Sequence, residues 1–292
     1  MDLTDIAAIK SLCKQYGLYP SRERGQNFLI SRDVLDDMIA AAGLKKDDIV
    51  LEVGPGFGVL TLELAQRVKK VIAVEQDKIL IKALQENLEK ENIKNVEIIE
   101  GNIIQVKSEK LKVKSYRIVS NLPYQITSRF LRVFLSDEGA ETENKPQDMT
   151  IMVQKEVAER ICAKPGAMSL LAVSVQFYGR PEIVRNVSKD CFWPEPKVDS
   201  AILRIALTPL LKLRRVKEFD DKYFFKIVRN GFLHRRQKLV NNLSNAFRLN
   251  KKNLELTLKG MGISENARAQ ELSVEQWIEL FRQIKSLDRL YS

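Results

Sequence analysis

Residues 49–58, IVLEVGPGFG, decide the fold, because an apolar run passes directly into a turn with three glycines. Residues 49–53 predict a buried strand, and the apolar periodicity after the turn predicts a helix over 59–67. A strand, a glycine-rich turn and a helix form the first unit of a doubly wound α/β sheet, where glycines let the backbone approach a ligand closely. The sequence therefore predicts a nucleoside-binding edge at the end of this strand.

The glycine spacing narrows the kind of ligand. The order is G-x-G-x-G, and Val59 occupies the position at which the dinucleotide fingerprint G-x-G-x-x-G needs its third glycine. This spacing disfavours a nicotinamide cofactor. Glu75 ends the next apolar run, about 20 residues further on, where a carboxylate can accept hydrogen bonds from both hydroxyls of a ribose.

A second motif, Asn121-Leu122-Pro123-Tyr124, follows another apolar run. An exocyclic amino nitrogen of adenine is a poor nucleophile, because its lone pair is delocalised into the ring. The side-chain oxygen of Asn121 and a backbone carbonyl near Leu122 can accept its hydrogens and favour tetrahedral geometry, as preorganised dipoles do in a dry pocket. Pro123 stiffens the turn, and the ring of Tyr124 offers a stacking surface for a base. The motif is therefore suited to methylating an exocyclic amino group.

Strand and helix patterns alternate through most of the chain, which predicts an α/β protein with a mostly parallel sheet. The predicted strands cover residues 49–53, 70–75, 96–100, 116–120, 149–154, 170–179, 182–187 and 199–207. The predicted helices cover residues 3–16, 31–42, 59–67, 77–91, 126–135 and 155–162. Residues 136–148 are polar and acidic, which indicates an exposed loop.

Beyond Pro209 the pattern is helical throughout, which places a domain boundary at that residue. The apolar residues there predict one buried stripe of Phe224, Val228, Phe232, Leu239, Val240, Leu243 and Phe247. Ser273 and Gln276 have the spacing of a capping box. They predict the start of a last helix that buries Trp277, Leu280, Phe281 and Ile284.

The net charge of +10 is concentrated near the end of the chain. Residues 1–208 hold 30 Lys and Arg against 29 Asp and Glu, whereas residues 209–292 hold 18 against 9. A near-neutral domain with a basic appendage is typical of an enzyme that acts on nucleic acid, although an ordinary helical domain with a solvated basic face has the same composition.

Composition also disfavours several classes of protein. The three cysteines, Cys13, Cys162 and Cys191, are far apart, so we expect reduced thiols and no zinc site. The single histidine, His234, lies in a predicted basic helix, which makes a Ser-His-Asp or Cys-His hydrolase hard to build. We find no apolar run of 18 residues and no secretory pattern, so we expect a soluble, cytoplasmic protein without a bound metal.

Nearly the whole chain resembles the KsgA (RsmA) family of ribosomal RNA adenine N6,N6-dimethyltransferases, which use S-adenosylmethionine. The motifs that carry the resemblance are GQNFL at 25–29, the turn at 52–58, Glu75, NLPY at 121–124, VQKEVA at 153–158, FWPEPKVDS at 192–200 and the basic helix around Arg235. The resemblance implies a Rossmann-like class I S-adenosylmethionine-dependent methyltransferase sheet in residues 1–208. It implies a small, all-helical, RNA-binding domain in residues 209–292.

The resemblance also implies roles for individual residues. Those expected to bind the cofactor are Gln26, Asn27 and Leu29 over its methionine end, Gly54 and Gly56 at its centre, Glu75 at its ribose, Asn102 at its adenine, and Asn121. Those expected to bind the target adenine are Asn121, Leu122, Pro123 and Tyr124, with Phe192 as a second aromatic wall. Asn102 departs from the Asp that the family usually carries, because an amide accepts a hydrogen bond but brings no charge and adds a donor.

The expected partner is small-subunit (16S) rRNA in an assembling ribosomal particle, bound by a monomer through Arg229, Arg235, Arg236 and Lys238. The expected reaction is the dimethylation of two adjacent adenosines near the 3′ end of that RNA. Three alternatives stay open: a 23S rRNA dimethyltransferase of the macrolide-resistance type, a DNA adenine methyltransferase, and an assembly factor that acts mainly by binding RNA. The 192–200 motif favours the small-subunit enzyme over the 23S type.

Overall fold

A twisted sheet with crossover helices organises the first part of the chain. The computed structural model describes residues 2–20, 26–105, 113, 115–135, 146–207 and 219–291, with side chains in the last helix as far as residue 286. Within these residues, seven strands form one sheet in the order β4-β3-β2-β5-β6-β9-β7, and two short strands, β1 and β8, pair separately. The strands are β1 (Phe28–Leu29), β2 (Ile49–Val53), β3 (Lys70–Glu75), β4 (Val96–Glu100), β5 (Tyr116–Asn121), β6 (Pro146–Gln154), β7 (Gly179–Val187), β8 (Phe192–Trp193) and β9 (Ser200–Leu207).

The helices alternate with the strands and then take over the chain. They are α1 (Ile6–Gln15), α2 (Arg32–Ala42), α3 (Val59–Ala65), α4 (Lys78–Lys90), α5 (Thr127–Leu135), α6 (Lys155–Ile161), α7 (Leu170–Gln176), α8 (Asp221–Gly231), α9 (Leu239–Phe247), α10 (Lys251–Gly260) and α11 (Val274–Tyr291). The predicted α/β class is confirmed, and most predicted elements lie within a few residues of the observed ones.

The strand order places a ligand-binding edge at one end of the sheet. Strands β2, β3, β4, β5 and β6 are parallel to their neighbours in that series, and β9 is antiparallel to β6. The chain runs outward from β2 through β3 to β4 and then crosses to the opposite side of β2 as β5. Such a reversal of direction opens a crevice at the carboxyl ends of the strands, where open α/β sheets bind their ligands. Residues 54–58 and 121–124 both lie at these ends.

An apolar core on the N-terminal helix closes one side of this crevice. Ile9, Leu12 and Cys13 of α1 pack with Phe28, Phe57, Leu80 and other buried residues in one cluster. The hydroxyl of Tyr16 also donates to the Glu86 carboxylate of α4 at 2.6 Å. Burial of these side chains fixes α1 against the turn that follows β2.

One predicted strand is wrong, and the bounds of two other predicted elements differ from those observed. Residues 170–176 form helix α7, not a strand, because the Ser169 hydroxyl caps its start by accepting from the Ala172 N–H at 3.1 Å. The β-branched residues there suggested a strand, but burial on one helical face outweighs that preference. The strand predicted for 182–187 begins at Gly179 and runs along the sheet edge, where Pro181 is tolerated. Residues 146–148 of the predicted loop belong to β6, whereas residues 136–145 lie outside the described residues.

The apolar stripe in the C-terminal part spans two helices, not one. Helix α8 ends at Gly231 and α9 begins at Leu239, so residues 232–238 form turns. A Cβ atom at Gly231 would lie 2.4 Å from the indole of Trp277, and the buried amide of Asn242 donates to the carbonyls of Gly231 and His234 at 2.7 and 3.2 Å. Asn242 thus binds two carbonyls that would accept backbone N–H groups in a continuous helix, and residues 232–238 are not helical, so the predicted basic helix around Arg235 is wrong.

The capping box before the last helix is confirmed. The Ser273 N–H donates to the Gln276 side chain at 2.9 Å, and the Gln276 N–H donates to the Ser273 hydroxyl at 3.2 Å. The helix that follows buries Trp277, Leu280, Phe281 and Ile284 as predicted.

The Cα positions divide into two compact units. The first contains residues 1–158 and 181–207, and the second contains residues 159–180 and 208–292. This division differs from the one predicted from sequence at residues 159–180, which the sequence assigns to the first domain. Pro209, the predicted boundary residue, lies outside the described residues.

Candidate active site

The glycine turn after β2 forms one wall of a cavity in the first unit. The Gly54 N–H donates to the Val74 carbonyl at 2.9 Å, which joins the turn to strand β3. Gly58 has a φ of +97°, and a Cβ atom there would lie 2.6 Å from the Cδ1 atom of Leu84. Both the conformation and the space therefore require glycine at this position.

Glu75 lies at the end of β3 beside this turn. Its carboxylate accepts three backbone N–H groups, from Gln76 at 2.8 Å, Asp77 at 3.0 Å and Gly56 at 3.4 Å. The residue is only 6% exposed, and burial raises its pKa although the backbone donors oppose that shift. These hydrogen bonds fix the carboxylate in the wall of the cavity.

Asn121 and Tyr124 lie where β5 ends in a short 3-10 turn. The Leu122 N–H donates to the Met152 carbonyl at 3.2 Å, and Leu122 itself is buried. The Asn121 amide donates to the backbone carbonyl of Asn27 at 3.4 Å. The Tyr124 hydroxyl lies 2.6 Å from the Ser200 hydroxyl, and burial raises its pKa. These contacts hold the four residues of the motif in one orientation at the strand end.

One cavity of about 430 Å³ brings most of the predicted site residues together. Those that line it are Gln26, Asn27, Leu29, Gly54, Gly56, Glu75, Asn121, Leu122, Pro123 and Tyr124. The remaining lining residues are Ile9, Phe28, Glu52, Pro55, Phe57, Val59, Leu60, Gln76, Asp77 and Leu80. Residues far apart in sequence thus share one concave site, as a cofactor and its substrate require.

Two of the residues predicted to bind the cofactor or the target adenine do not line this cavity. Asn102 is exposed, and its side-chain oxygen accepts the Ile104 N–H at 3.0 Å. Its neighbour Gly101 donates to the Glu75 carbonyl at 2.8 Å, so Asn102 follows the strand edge next to Glu75. Phe192 is 2% exposed and packs in the apolar core, and its partner across the β1–β8 pair is Leu29.

Glu52 is a site residue that sequence reasoning missed. It belongs to β2, is 2% exposed and lines the cavity. Burial raises its pKa to about 8, the nearby Glu75 adds to this shift, and the Thr61 hydroxyl opposes it. The signal in the sequence was a single acid inside the apolar strand IVLEV, which cannot be buried without functional or structural compensation.

The basic residues of the second unit occupy two kinds of position. Arg229 lies in the last turn of α8, Arg235 and Arg236 lie in the turns at 232–238, and Lys238 is the N-cap residue of α9. All four are exposed. The Asn242 amide fixes the backbone of this basic loop, defined here as residues 232–238, through its bonds to Gly231 and His234. Sequence reasoning did not identify Asn242, because its role depends on the break between the two helices.

The described residues contain no group of three or more His, Cys, Asp or Glu side chains arranged to hold a metal ion. Their helices include none with the length and apolarity needed to cross a membrane.

A family model and several named relatives match most of this chain. The family model "Ribosomal RNA adenine dimethylase" matches residues 21–286. A protein of Dehalococcoides mccartyi strain BAV1, named ribosomal RNA small subunit methyltransferase A, is 43% identical over 94% of this chain and 92% of its own length. A protein of the same name from Clostridium botulinum strain Loch Maree is 37% identical over 93% of this chain and 96% of its own length.

Solved structures agree with this relationship. A dimethyladenosine transferase from Plasmodium falciparum superposes with a TM-score of 0.73 at 25% identity, covering 88% of this chain and 97% of that one. The 23S rRNA methyltransferase ErmE superposes with a TM-score of 0.70 at 27% identity, covering 89% of this chain and 100% of that one. The match of the family model over most of the chain, together with relatives more than 30% identical, shows that this protein belongs to the ribosomal RNA adenine dimethylase family.

Proposed function

We propose that this protein dimethylates adenine amino groups of small-subunit rRNA, with S-adenosylmethionine as the methyl donor. The observation that carries the proposal is the presence of the Asn121–Tyr124 motif in the same cavity as Glu75 and the glycine turn. Acceptors for an amino group thus share one site with a ribose-binding acid. The two adjacent adenosines near the 3′ end of 16S rRNA are the proposed targets.

The residues of the cavity suit this cofactor. Glu75 offers a fixed carboxylate for ribose hydroxyls, and Gly54 and Gly56 let the ligand approach the backbone. The buried Asn27 Oδ1 and Glu52 Oε2 atoms have no hydrogen-bond partner among the described residues. Buried polar atoms are normally hydrogen-bonded, so such atoms in a cavity are suited to binding a ligand. Asn102 is proposed at the adenine, because a carbonyl oxygen can accept a second hydrogen bond beside that from Ile104.

When bound, S-adenosylmethionine supplies an electrophilic methyl group. In the proposed reaction the Asn121 oxygen and a backbone carbonyl near Leu122 accept the amino hydrogens and expose the nitrogen lone pair. Tyr124 stacks on the extracted base and offsets part of the unstacking cost, with its ring held by the bond to Ser200. The nitrogen becomes positively charged only as the methyl arrives, so its proton is lost to solvent afterwards and no catalytic base is required.

The proposed role of Phe192 in the base pocket depends on a change in its exposure. Its side chain is buried in the apolar core and Leu29 is its ladder partner, so it can form a second aromatic wall only if base binding exposes it. Of the two aromatic residues, Tyr124 is the one that lines the cavity, so we propose that Tyr124 stacks on the base.

The exposed cations of the second unit are the proposed RNA contacts. Arg235, Arg236 and Lys238 lie on a loop of fixed backbone, where they can bind phosphates without reading bases. Arg229 extends this surface from the end of α8. The proposed form is a cytoplasmic monomer that binds an assembling ribosomal particle.

The 23S-type alternative is less well supported. The relatives at 34–43% identity are named for the small subunit, whereas the 23S enzyme ErmE is 27% identical. A pure binding role is also less well supported, because Asn121 and Glu75 both line the cavity, as the proposed methyl transfer needs.

The direct test is a methylation assay with labelled cofactor and separated small- and large-subunit particles. We expect label in the small-subunit RNA only, and mapping of the modified nucleotides should give two neighbouring dimethylated adenosines. Label confined to large-subunit RNA would support the 23S alternative, and absence of label with intact particle binding would support the assembly factor.

A further inference from the structure

A buried serine links the two strands whose ends form the cavity. Ser120 lies in β5 directly before Asn121, and Val53 ends β2 directly before the glycine turn. The Ser120 hydroxyl donates to the Val53 carbonyl at 2.8 Å and accepts from the Val53 N–H at 3.3 Å. Both residues are buried, and Ser120 is 0% exposed. One hydroxyl therefore joins the backbone before the glycine turn to the residue before the Asn121 motif.

This link lies beyond the backbone ladder of the two strands. The ladder pairs of β2 with β5 are Val50 with Arg117 and Leu51 with Ile118. Val53 and Ser120 lie two residues further along their strands. Backbone bonds set the spacing of strands within a parallel ladder, whereas here a side chain bonds to both backbone groups of Val53. A hydroxyl is suited to this position, because it can donate and accept at the same time.

On its other side, the end of β5 is joined to β6 by the backbone. The ladder pairs there are Ser120 with Ile151 and Asn121 with Met152. The Leu122 N–H also donates to the Met152 carbonyl at 3.2 Å. The end of β5 is therefore fixed to β6 through the backbone, and the Ser120 hydroxyl supplies two hydrogen bonds to β2 next to Asn121.

The two turns come close together just beyond this link. A Cβ atom at Gly54 would lie 3.5 and 3.6 Å from the Cγ and Cδ atoms of Pro123. Transfer between ligands held on two such turns requires reacting atoms about 3–3.5 Å apart, and a displacement of about 1 Å can lower the rate on the order of 100-fold. A group that sets the separation of the turns therefore affects the rate of transfer.

We propose that Ser120 is a positioning residue for methyl transfer, whose hydroxyl holds the Asn121 motif at a fixed distance from the glycine turn. The motif binds the acceptor nitrogen and the turn binds the donor, so the inference rests on the proposed function. Ser120 itself is fully buried and is not among the described residues that line the cavity. Without its hydroxyl, two buried backbone groups of Val53 lose their side-chain partner, and the strands must shift or admit water to satisfy them.

The first test compares Ser120→Ala with Ser174→Ala. The Ser174 hydroxyl on α7 donates to the Leu170 carbonyl at 2.7 Å, so this variant controls for the loss of one hydroxyl bond to the backbone. We expect Ser120→Ala to lower the single-turnover rate about 10- to 100-fold at saturating cofactor and small-subunit particles. Ser174→Ala should keep the rate within about twofold, because its bond lies far from the two strands in sequence and within one helix.

Affinity separates a positioning role from a merely structural one. Ser120→Ala should bind S-adenosylmethionine within about threefold of the parent, since the groups that line the cavity are unchanged. Saturating cofactor also favours the folded state, so loss of folded protein does not explain a rate loss measured there. Equal rates for Ser120→Ala and Ser174→Ala would overturn the positioning role. A rate loss that excess cofactor restores would also overturn it.

A second pair of variants isolates the hydroxyl and decides the question if Ser120→Ala does not fold. Ser120→Thr keeps the hydroxyl, and Ser120→Val has the same shape without it, so the effect of the added methyl group cancels in the comparison. We expect Ser120→Thr to transfer methyl at least about tenfold faster than Ser120→Val. Equal rates would overturn the inference. If the parent itself transfers no methyl to small-subunit particles, the proposed function fails; if the parent is active and the hydroxyl makes no difference, only the role of Ser120 fails.

Discussion

The cavity of the first unit and the basic loop of the second hold their polar groups in opposite ways. In the cavity, Glu52 and Glu75 are almost fully buried, and backbone donors or the absence of partners determine what they can bind. In the loop, Arg235 and Arg236 are exposed, and only the backbone beneath them is fixed, by Asn242. Buried groups act through fixed hydrogen-bond geometry, so removing one of them should have a large effect on one ligand or one step. Exposed charges act through an additive, salt-dependent attraction, so each loss should be small.

The largest effect is expected at Asn121, where geometry matters most. Asn121→Ala should lower the rate of methyl transfer about 10²- to 10³-fold, the scale for loss of one preorganised polar contact. Affinity for the cofactor should change less. Single-turnover assays on particles measure the rate. Asn95→Ala is the matched control, because that amide binds the carbonyls of Ala65 and Val68 outside the cavity. A rate within threefold of the parent for Asn121→Ala would remove the catalytic role.

The second effect concerns Glu75. Glu75→Ala should weaken S-adenosylmethionine binding by about 1.5–3 kcal/mol, because hydrogen bonds to a charged group are lost. Glu97→Ala on the adjacent strand removes an exposed carboxylate paired with Lys70 and should leave the affinity unchanged. Calorimetry on both variants decides the matter, and unchanged affinity in folded Glu75→Ala would exclude this residue from the site.

The third prediction uses the pH dependence of stability. The pKa of Glu52 is about 8 in the folded protein, above its ordinary value of 4.5. The folded state therefore binds the proton of Glu52 more tightly than the unfolded state does. The contribution of Glu52 to the free energy of unfolding is full below about pH 4.5 and is lost as the pH rises toward 8. Glu52→Gln should therefore gain stability relative to the ligand-free parent from pH 5 to pH 8, on the order of 1–3 kcal/mol. Urea unfolding at the two pH values measures this difference. A constant difference would mean that Glu52 does not titrate in this range.

The fourth prediction tests the other side of the comparison. Neutralising Arg235, Arg236 and Lys238 together should weaken particle binding and reduce its log–log salt slope by about two to three units. The methylation of a minimal target base at saturating concentration should survive. The matched control neutralises Lys251, Lys252 and Lys259, which are exposed on α10 and remove the same charge. Equal slopes for the two triple variants would show that the basic loop has no special role.

The smallest effect is expected for Arg229 alone. Arg229→Gln removes one exposed charge from the end of α8 and should lower the salt slope by about one unit or less. The same salt titration measures it. A loss of methylation rate at saturating particle concentration would contradict a purely electrostatic role.

The comparison also explains what could be predicted from sequence. The glycine turn, Glu75 and the Asn121 motif could be predicted, because positive φ angles and strand ends leave local patterns. The break at residues 232–238 could not, because the Asn242 amide binds the carbonyls of Gly231 and His234 only in the folded unit. Helix α7 was misassigned for a similar reason, since its β-branched residues pack on a helical face. Burial of Phe192 in the apolar core likewise depends on the pairing of two short strands.

That pairing has a consequence for the order of events during two successive methylations. Leu29 follows the Gln26–Asn27 segment at the cavity, and it is the ladder partner of Phe192 on the adjacent strand. Two transfers to one nitrogen require spent donor to leave and fresh donor to enter between them. Because Leu29 and Phe192 are partners in this ladder, we expect a displacement of the Gln26–Leu29 segment during this exchange to displace Phe192 as well. With Phe192 in its proposed place beside the base, exchange of the donor and retention of the half-modified nucleotide would be coupled through these two strands.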